Sequence, residues 1–433
     1  MTAFEPDEPS RPTGEAPFQP QPPDGEGDES TRPERPLELA TRSIHGGMGR
    51  AQSGAPVVMP LYQSATFHGG GPGDEGELRY SRYGNNPNQE LVGDRVAQLE
   101  GMEAGLAVGS GMAAIALTLL SLVRTGDHVV TSDRLYGATR LFMEEELPRR
   151  GVEVGWVDPE NGERGWRDAL RPRTRLLYLE TPTNPTLRVH DPRVPAAVAR
   201  EQRIPLVMDV TFASPMNFRA GEWGAEVAIH SATKYLGGHS DLIAGVVTGP
   251  RARIEEIQRM LRLYGPALDP HAAWLLDRGL RTLDVRIERH NRNALSLARW
   301  FQGRPGVDRV IYPGLPSHPD HELATRLLDG YGGMLGVELS GGVAATEGFC
   351  RSLRLAALAP SLGGVETLVS LPRLTSHRSM DAGARRAAGI GDGLVRISVG
   401  LEGLEDLTGE FERALAGARS ASSRVSATPG QES

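Results

Sequence analysis

The sequence predicts an α/β protein built on a largely parallel sheet, with a second, smaller α/β domain toward the C-terminus. Three observations lead there: short apolar runs of strand length, helical stretches that separate several of them, and a length of 433 residues that suits two or three structural units. Parallel strands are covered on both faces and so read as near-continuous apolar runs. Ligands of such sheets bind beyond the carboxyl ends of the strands, so chemistry is expected just after strands.

Residues 1–36 carry nine prolines and nine acids with almost no apolar periodicity. They cannot bury enough surface to offset their ordering entropy, and a disordered tail over 1–38 is expected, followed by an N-terminal arm over 39–90. Leu91, Val92, Val96 and Leu99 recur at helical spacing, and the apolar run Ala113–Val123 follows. Strand-like runs come next at His128–Thr131, Val152–Val157, Leu176–Leu179, Pro205–Met208, Val227–Ile229 and Ile243–Val247. These elements make a first domain over 91–283. A long helix from Asp284 through Phe301 opens the smaller domain, 284–416, and the Ser/Ala-rich stretch 417–433 is expected to fray.

Hydrophobic residues make up 39% and charged residues 24% of the chain, and no apolar run approaches the roughly 18 to 20 residues of a membrane span. No membrane partner is expected. The formal charge of −8 sits mostly in the N-terminal tail, which leaves no basic excess to grip nucleic acid. The lone Cys350 cannot form an internal disulfide, and the acidic N-terminus lacks the basic and apolar regions of a signal peptide. A cytoplasmic setting follows.

The chain has 47 basic residues and all but one are arginine; the sole lysine is Lys234. Arginine stays protonated at working pH, whereas a lysine amine can lose its proton and form a Schiff base. Lys234 stands just beyond a strand, in Ile229-His230-Ser231-Ala232-Thr233-Lys234. The hydroxyls of Ser231 and Thr233 beside it suit the phosphate of a phosphorylated aldehyde, and pyridoxal 5'-phosphate (PLP) is the obvious one. Such a ring acts as an electron sink only while its nitrogen stays protonated, which calls for a carboxylate; Asp209, ending the apolar run Leu206-Val207-Met208, is the candidate. Gly109-Ser110-Gly111-Met112 opens a helix and offers backbone N–H groups to an anion. That segment also satisfies a loose G-x-G-x-x-A dinucleotide pattern, with Asp133 near the position of a ribose-binding acid, so an NAD-dependent oxidoreductase is the competing reading. It gives the lysine no role.

From about Ile44 to Leu415 the chain resembles the Cys/Met-metabolism family of PLP-dependent enzymes, which includes cystathionine γ-synthase, cystathionine γ- and β-lyases, methionine γ-lyase and O-acylhomoserine sulfhydrylase. The resemblance rests on Gly54-Ala55-Pro56-Val57 through Thr66-Phe67, Tyr80-Ser81-Arg82, Ser110-Gly111-Met112, Tyr136-Gly137-Ala138-Thr139, Glu180-Thr181-Pro182-Thr183-Asn184-Pro185, Ser231-Ala232-Thr233-Lys234, Ser361-Leu362-Gly363-Gly364 and Val395-Arg396-Ile397-Ser398-Val399-Gly400. It implies the type I fold of PLP-dependent transferases. It also implies Lys234 as the Schiff-base lysine and proton shuttle, Asp209 at the pyridinium, and Tyr136 stacked on the ring as a further acid or base. Gly111, Met112, Ser231 and Thr233 would bind the phosphate, and Tyr80 and Arg82 would reach the phosphate of a neighbouring subunit in a homodimer or homotetramer. Arg396, with Asn184 and Ser361, would clamp the substrate carboxylate; no metal is implied.

Five departures bear on function. Asp209-Val210-Thr211 stands where the family usually reads Asp-Asn-Thr, and Asn85-Asn86-Pro87-Asn88 carries one extra residue after the Tyr-x-Arg motif. Pro360 replaces the glutamate that in cystathionine-handling γ-enzymes often precedes the motif serine. Ala138 is not the cysteine of methionine γ-lyases, and Leu362 is not the tryptophan of bacterial cystathionine β-lyases. The resulting expectation is γ-elimination from an L-amino acid, with γ-replacement as the alternative.

Overall fold

The computed structural model describes residues 37–48, 53–69, 78–375, 378 and 380–426; residues 1–36 of the expected tail lie outside them. Its first sheet has seven strands: β1 (Ala104–Val108), β2 (His128–Ser132), β3 (Glu153–Val157), β4 (Thr174–Glu180), β5 (Leu206–Asp209), β6 (Val227–His230) and β7 (Gly245–Gly249), in the order β1-β7-β6-β5-β4-β2-β3. Neighbours from β6 to β3 pair in parallel, and β7 runs antiparallel to both β1 and β6. A short return after Lys234 leaves no length for a crossover helix, so the chain re-enters the sheet reversed. The expected strand at Ile243–Val247 therefore starts two residues later, and Ile243 itself is exposed.

Strand β1 was not legible as a strand. Ala-Gly-Leu-Ala-Val has low β propensity, and its place is set by packing: Gly105 lies so close to Gly93 that a Cβ would meet the Gly93 carbonyl oxygen at 2.1 Å. Gly93 belongs to the helix Pro87–Glu100, which buries Leu91, Val92, Val96 and Leu99 as expected. Asn86 caps that helix in a capping box with Gln89, so the helix begins inside the expected arm. The same polar run ties down the arm: Asn86 Nδ2 donates to the Tyr62 carbonyl (2.8 Å), and Asn88 takes the Tyr62 N–H (2.8 Å) and donates to the Pro60 carbonyl (2.8 Å).

The helix Leu283–Phe301 leads to the second sheet, formed by β8 (Val307–Ile311), β9 (Met334–Leu339), β10 (Ala357–Leu358), β11 (Leu368–Ser370) and β12 (Leu394–Ser398) in the order β10-β11-β12-β9-β8. Only the β10 and β11 pair is parallel. The last helix, Leu404–Ser426, corrects the tail expected from 417. Its small residues allow close packing rather than fraying: Ala418 is buried, and Gly417 lies against the Gly348 carbonyl. Among the described residues no helix is long and apolar enough to cross a membrane.

Candidate active site

The carboxyl ends of β4, β5 and β6 and one segment of the smaller domain converge on Lys234. Its Nζ donates to Ser361 Oγ at 2.7 Å. Burial, assisted by the charge of Arg396, lowers its pKa from 10.5 to about 8, so a sizeable share of the amine is neutral and nucleophilic near neutrality. Ser361 adopts φ 85°, a left-handed conformation that side-chain-bearing residues rarely take. The strain sets its two polar groups in different directions: the hydroxyl meets Lys234, and the carbonyl accepts from Arg396 Nη2 at 3.0 Å.

Arg396, on β12, is almost wholly buried, and burial lowers its pKa to about 10. Nη1 donates to Asn184 Oδ1 (3.0 Å) and Nε to Ser370 Oγ (3.0 Å). Three of five N–H groups are thus committed, and two remain for a carboxylate. Tyr136 stands at the N-cap of the helix Gly137–Leu141, is 41% exposed, and lies near enough to Arg396 to interact with it electrostatically.

Asp209 ends β5, nearly fully buried. Burial raises its pKa, opposed by hydrogen bonds from Thr211, whose N–H donates to Oδ1 at 3.0 Å. Thr211 Oγ1 in turn accepts the Ser231 N–H at 2.8 Å, so Thr211 couples the carboxylate to the serine. Gly111 opens the twelve-residue helix Gly111–Leu122, capped by Ser110, and a Cβ there would strike Ser231 Oγ at 2.8 Å. Only glycine leaves room for the first-turn N–H groups of Gly111 and Met112, which lack intrahelical acceptors, to approach the same anion as the Ser231 hydroxyl. Thr233 is placed less directly: its Oγ1 accepts the Ala244 N–H (3.0 Å) and donates to the Ala244 carbonyl (3.2 Å).

Tyr80 and Arg82 lie elsewhere. Arg82 Nη1 donates to the Arg262 carbonyl (2.7 Å), its guanidinium lies over the rings of Tyr80 and Tyr83, and these two rings meet edge to face. Asp133, the acid of the dinucleotide reading, pairs with Arg134, and β1, which precedes Gly109, pairs only with antiparallel β7 at the sheet edge. Val210 is fully buried in an apolar cluster with Phe218 and Ala228. By strand alternation it points away from Asp209, so this departure belongs to the core.

Residues 40–416 match the family described as Cys/Met metabolism PLP-dependent enzyme. The chain belongs to that family. Its cofactor is PLP and its fold the type I fold of PLP-dependent transferases, and the NAD reading is set aside because the match covers the whole of both domains. A protein of Lactococcus lactis subsp. cremoris named cystathionine beta-lyase is 39% identical over 378 residues, covering 87% of this chain and 98% of its own. An L-methionine gamma-lyase of Pseudomonas putida is 40% identical over 387 residues, covering 87% and 97%. A solved cystathionine gamma synthase of Xanthomonas oryzae pv. oryzae, in complex with aminoacrylate and cysteine, is 36% identical with a TM-score of 0.85, covering 89% of this chain and 100% of its own. Near-equal similarity to a β-lyase, a γ-lyase and a synthase means that overall likeness does not choose the reaction, and it gives no support to the separation from β-lyases drawn from Leu362.

The residues present fit the cofactor. Asp209 is a buried carboxylate in need of a cation, Gly111 and Ser231 form a cradle that a Cβ would fill, and Lys234, whose backbone N–H donates to the Ser231 carbonyl, carries a partly neutral amine. Sequence reasoning gave no role to Ser370, nor to Glu180 and Thr211, although these two stand in segments quoted above; all three touch the named residues. Their signal was position, at or just beyond strand ends.

Proposed function

We propose that the protein is a PLP-dependent γ-lyase of L-amino acids, with leaving groups that are small or apolar: a thiol, an acyloxy group or a halide. The observation that carries this reading is that a single segment of the smaller domain joins both ends of the site: Ser361 holds Lys234 and Arg396, and Pro360, immediately before it, offers no charge to a distal ammonium. Pro360 is exposed, so a distal ammonium there meets solvent and no charged partner, and cystathionine gains nothing at the distal end over a small or apolar leaving group.

Lys234, Asp209, Tyr136, Gly111, Met112, Ser231 and Thr233 would hold the cofactor, which when bound withdraws the electrons left at the substrate's Cα. Arg396, steadied by Asn184, Ser361 and Ser370, presents its two uncommitted N–H groups to the α-carboxylate. That orientation turns the Cα proton toward the Lys234 amine, whose pKa of about 8 suits both taking a proton and giving it back further along the side chain. Ser361 Oγ keeps Nζ in reach while the amine is free. Tyr136, half open to the site, is positioned to cover the ring face and protonate a departing group.

The reading includes assembly as a homodimer or homotetramer, supported by where the arm residues lie. Tyr80 and Arg82 point to Tyr83 and Arg262 rather than to Lys234 of their own chain, and the arm beside them exposes Val57 (83%), Val58 and Leu61. A cytoplasmic setting is consistent with a single free cysteine whose thiol burial pushes up to about 11. Steady-state kinetics test the substrate claim: kcat/KM for methionine, homocysteine and γ-acyloxy or γ-halo amino acids should exceed that for cystathionine. A clear preference for cystathionine overturns it.

A further inference from the structure

Glu180 ends β4 and is 4% exposed. It stands opposite Asp209 in the ladder between β4 and β5, so two acids finish adjacent strands side by side. Burial and the neighbouring Asp209 charge push its pKa well up. A second acid in this position is costly, yet its oxygens have clear partners. Oε2 accepts the backbone N–H of Tyr136 at 2.6 Å, and Oε1 accepts that of Asn184 at 3.1 Å. Tyr136 is 44 residues away in sequence, at the N-cap of a five-residue helix that has no side-chain cap, and is 41% exposed. Asn184 is the residue that carries Arg396 Nη1. One carboxylate therefore fixes the backbones of two residues that serve opposite ends of the site.

We propose that Glu180 is a positioning residue for the reaction: its two oxygens hold Tyr136 and Asn184 in one register, so that the ring-facing aromatic and the carboxylate clamp stay aligned with each other. This rests on the reading of Tyr136 and Asn184 given above. A glutamine at 180 keeps the shape but supplies one acceptor and one NH2 group, and one of the two N–H groups loses its partner. Deleting an acceptor from a buried donor removes a hydrogen bond and leaves a desolvated group behind.

The test uses the holoenzyme and a ligand that reports the clamp alone, 4-(methylthio)butanoate, a carboxylic acid without an α-amino group, titrated by the change in the cofactor's visible spectrum. Glu180→Gln should raise its Kd about tenfold, and less than about twofold when Asn184 is already alanine, because the clamp that Glu180 aligns is then gone. The visible circular dichroism of the bound cofactor should fall in amplitude in Glu180→Gln as the Tyr136 ring loses its fixed pose, with PLP affinity and the apoprotein melting temperature measured alongside. Additive effects of the two substitutions, or an unchanged Kd and dichroism in Glu180→Gln beside a weakened Asn184→Ala, overturn the proposal. Asn184→Ala without effect on the analogue refutes the clamp reading instead, and the dichroism then judges the Tyr136 half alone. Should Glu180→Gln fail to fold, Glu180→Asp, which keeps both acceptors but retracts them by one methylene, carries the same cycle with the same expected signs.

Discussion

Titrating the apoprotein against PLP tests the chemistry of Lys234 quantitatively. Its pKa falls from 10.5 to about 8 through burial first and the Arg396 charge second. At pH 7 about a tenth of the amine is then neutral, against about 0.03% for a lysine at its ordinary value, an advantage of roughly 300-fold in nucleophile. Because the neutral form reacts, the rate of covalent PLP capture should climb about tenfold per pH unit below 8 and level off above it. The assay is stopped-flow absorbance between pH 6 and 10, with borohydride trapping and peptide mapping to separate Lys234 from the N-terminal amine, which titrates in the same range. Replacing Arg396 with glutamine removes the lesser cause and should move the midpoint upward while leaving most of the shift in place. A rate that keeps rising without a break to pH 10 would falsify the view that the fold depresses this lysine.

Three further outcomes follow from the same geometry. Mixing inactive Arg82→Ala and Lys234→Ala chains under conditions of subunit exchange should restore part of the activity, since one hybrid site has both native residues; no recovery despite proven exchange places Arg82 within its own chain's site. Pro360→Glu should shift kcat/KM toward cystathionine by supplying a partner for the distal ammonium, and an unchanged ranking would show that another residue sets that end. Ser370→Ala removes the acceptor of Arg396 Nε and should raise KM for amino acids by roughly ten- to a hundredfold with a smaller effect on kcat, given about 1.5–3 kcal/mol for a hydrogen bond to a charged group; an equal loss in kcat alone would argue against a binding role.

Much of the fold was legible because burial on both faces writes parallel strands as plain apolar runs, as in β2, β4, β5 and β6, while the half-buried edge strand β3 was read from its Val and Trp residues. Strand β1 hid because its Gly and Ala residues have low β propensity, while the close approach of Gly105 to Gly93 that fixes it leaves no trace in the sequence pattern. The C-terminal helix hid because the Ser/Ala composition that suggests fraying also suits a helix packed close against Gly348. In the site, Lys234 and Asp209 were visible as chemical oddities, a lone lysine and an acid after an apolar strand. Thr211, Ser370 and Glu180 act through hydrogen bonds across 20, 26 and 44 residues of sequence, and no local pattern encodes such pairings.

The identity of the 2-oxo acid released by the holoenzyme tests γ-elimination most directly. Methionine, O-acetylhomoserine and cystathionine should each yield the four-carbon 2-oxobutanoate with one equivalent of ammonia, and the leaving group should appear in the same amount. Pyruvate from cystathionine would assign the cut to the β-carbon, and consumption of an added thiol with no oxo acid would assign replacement; either result contradicts the proposed activity.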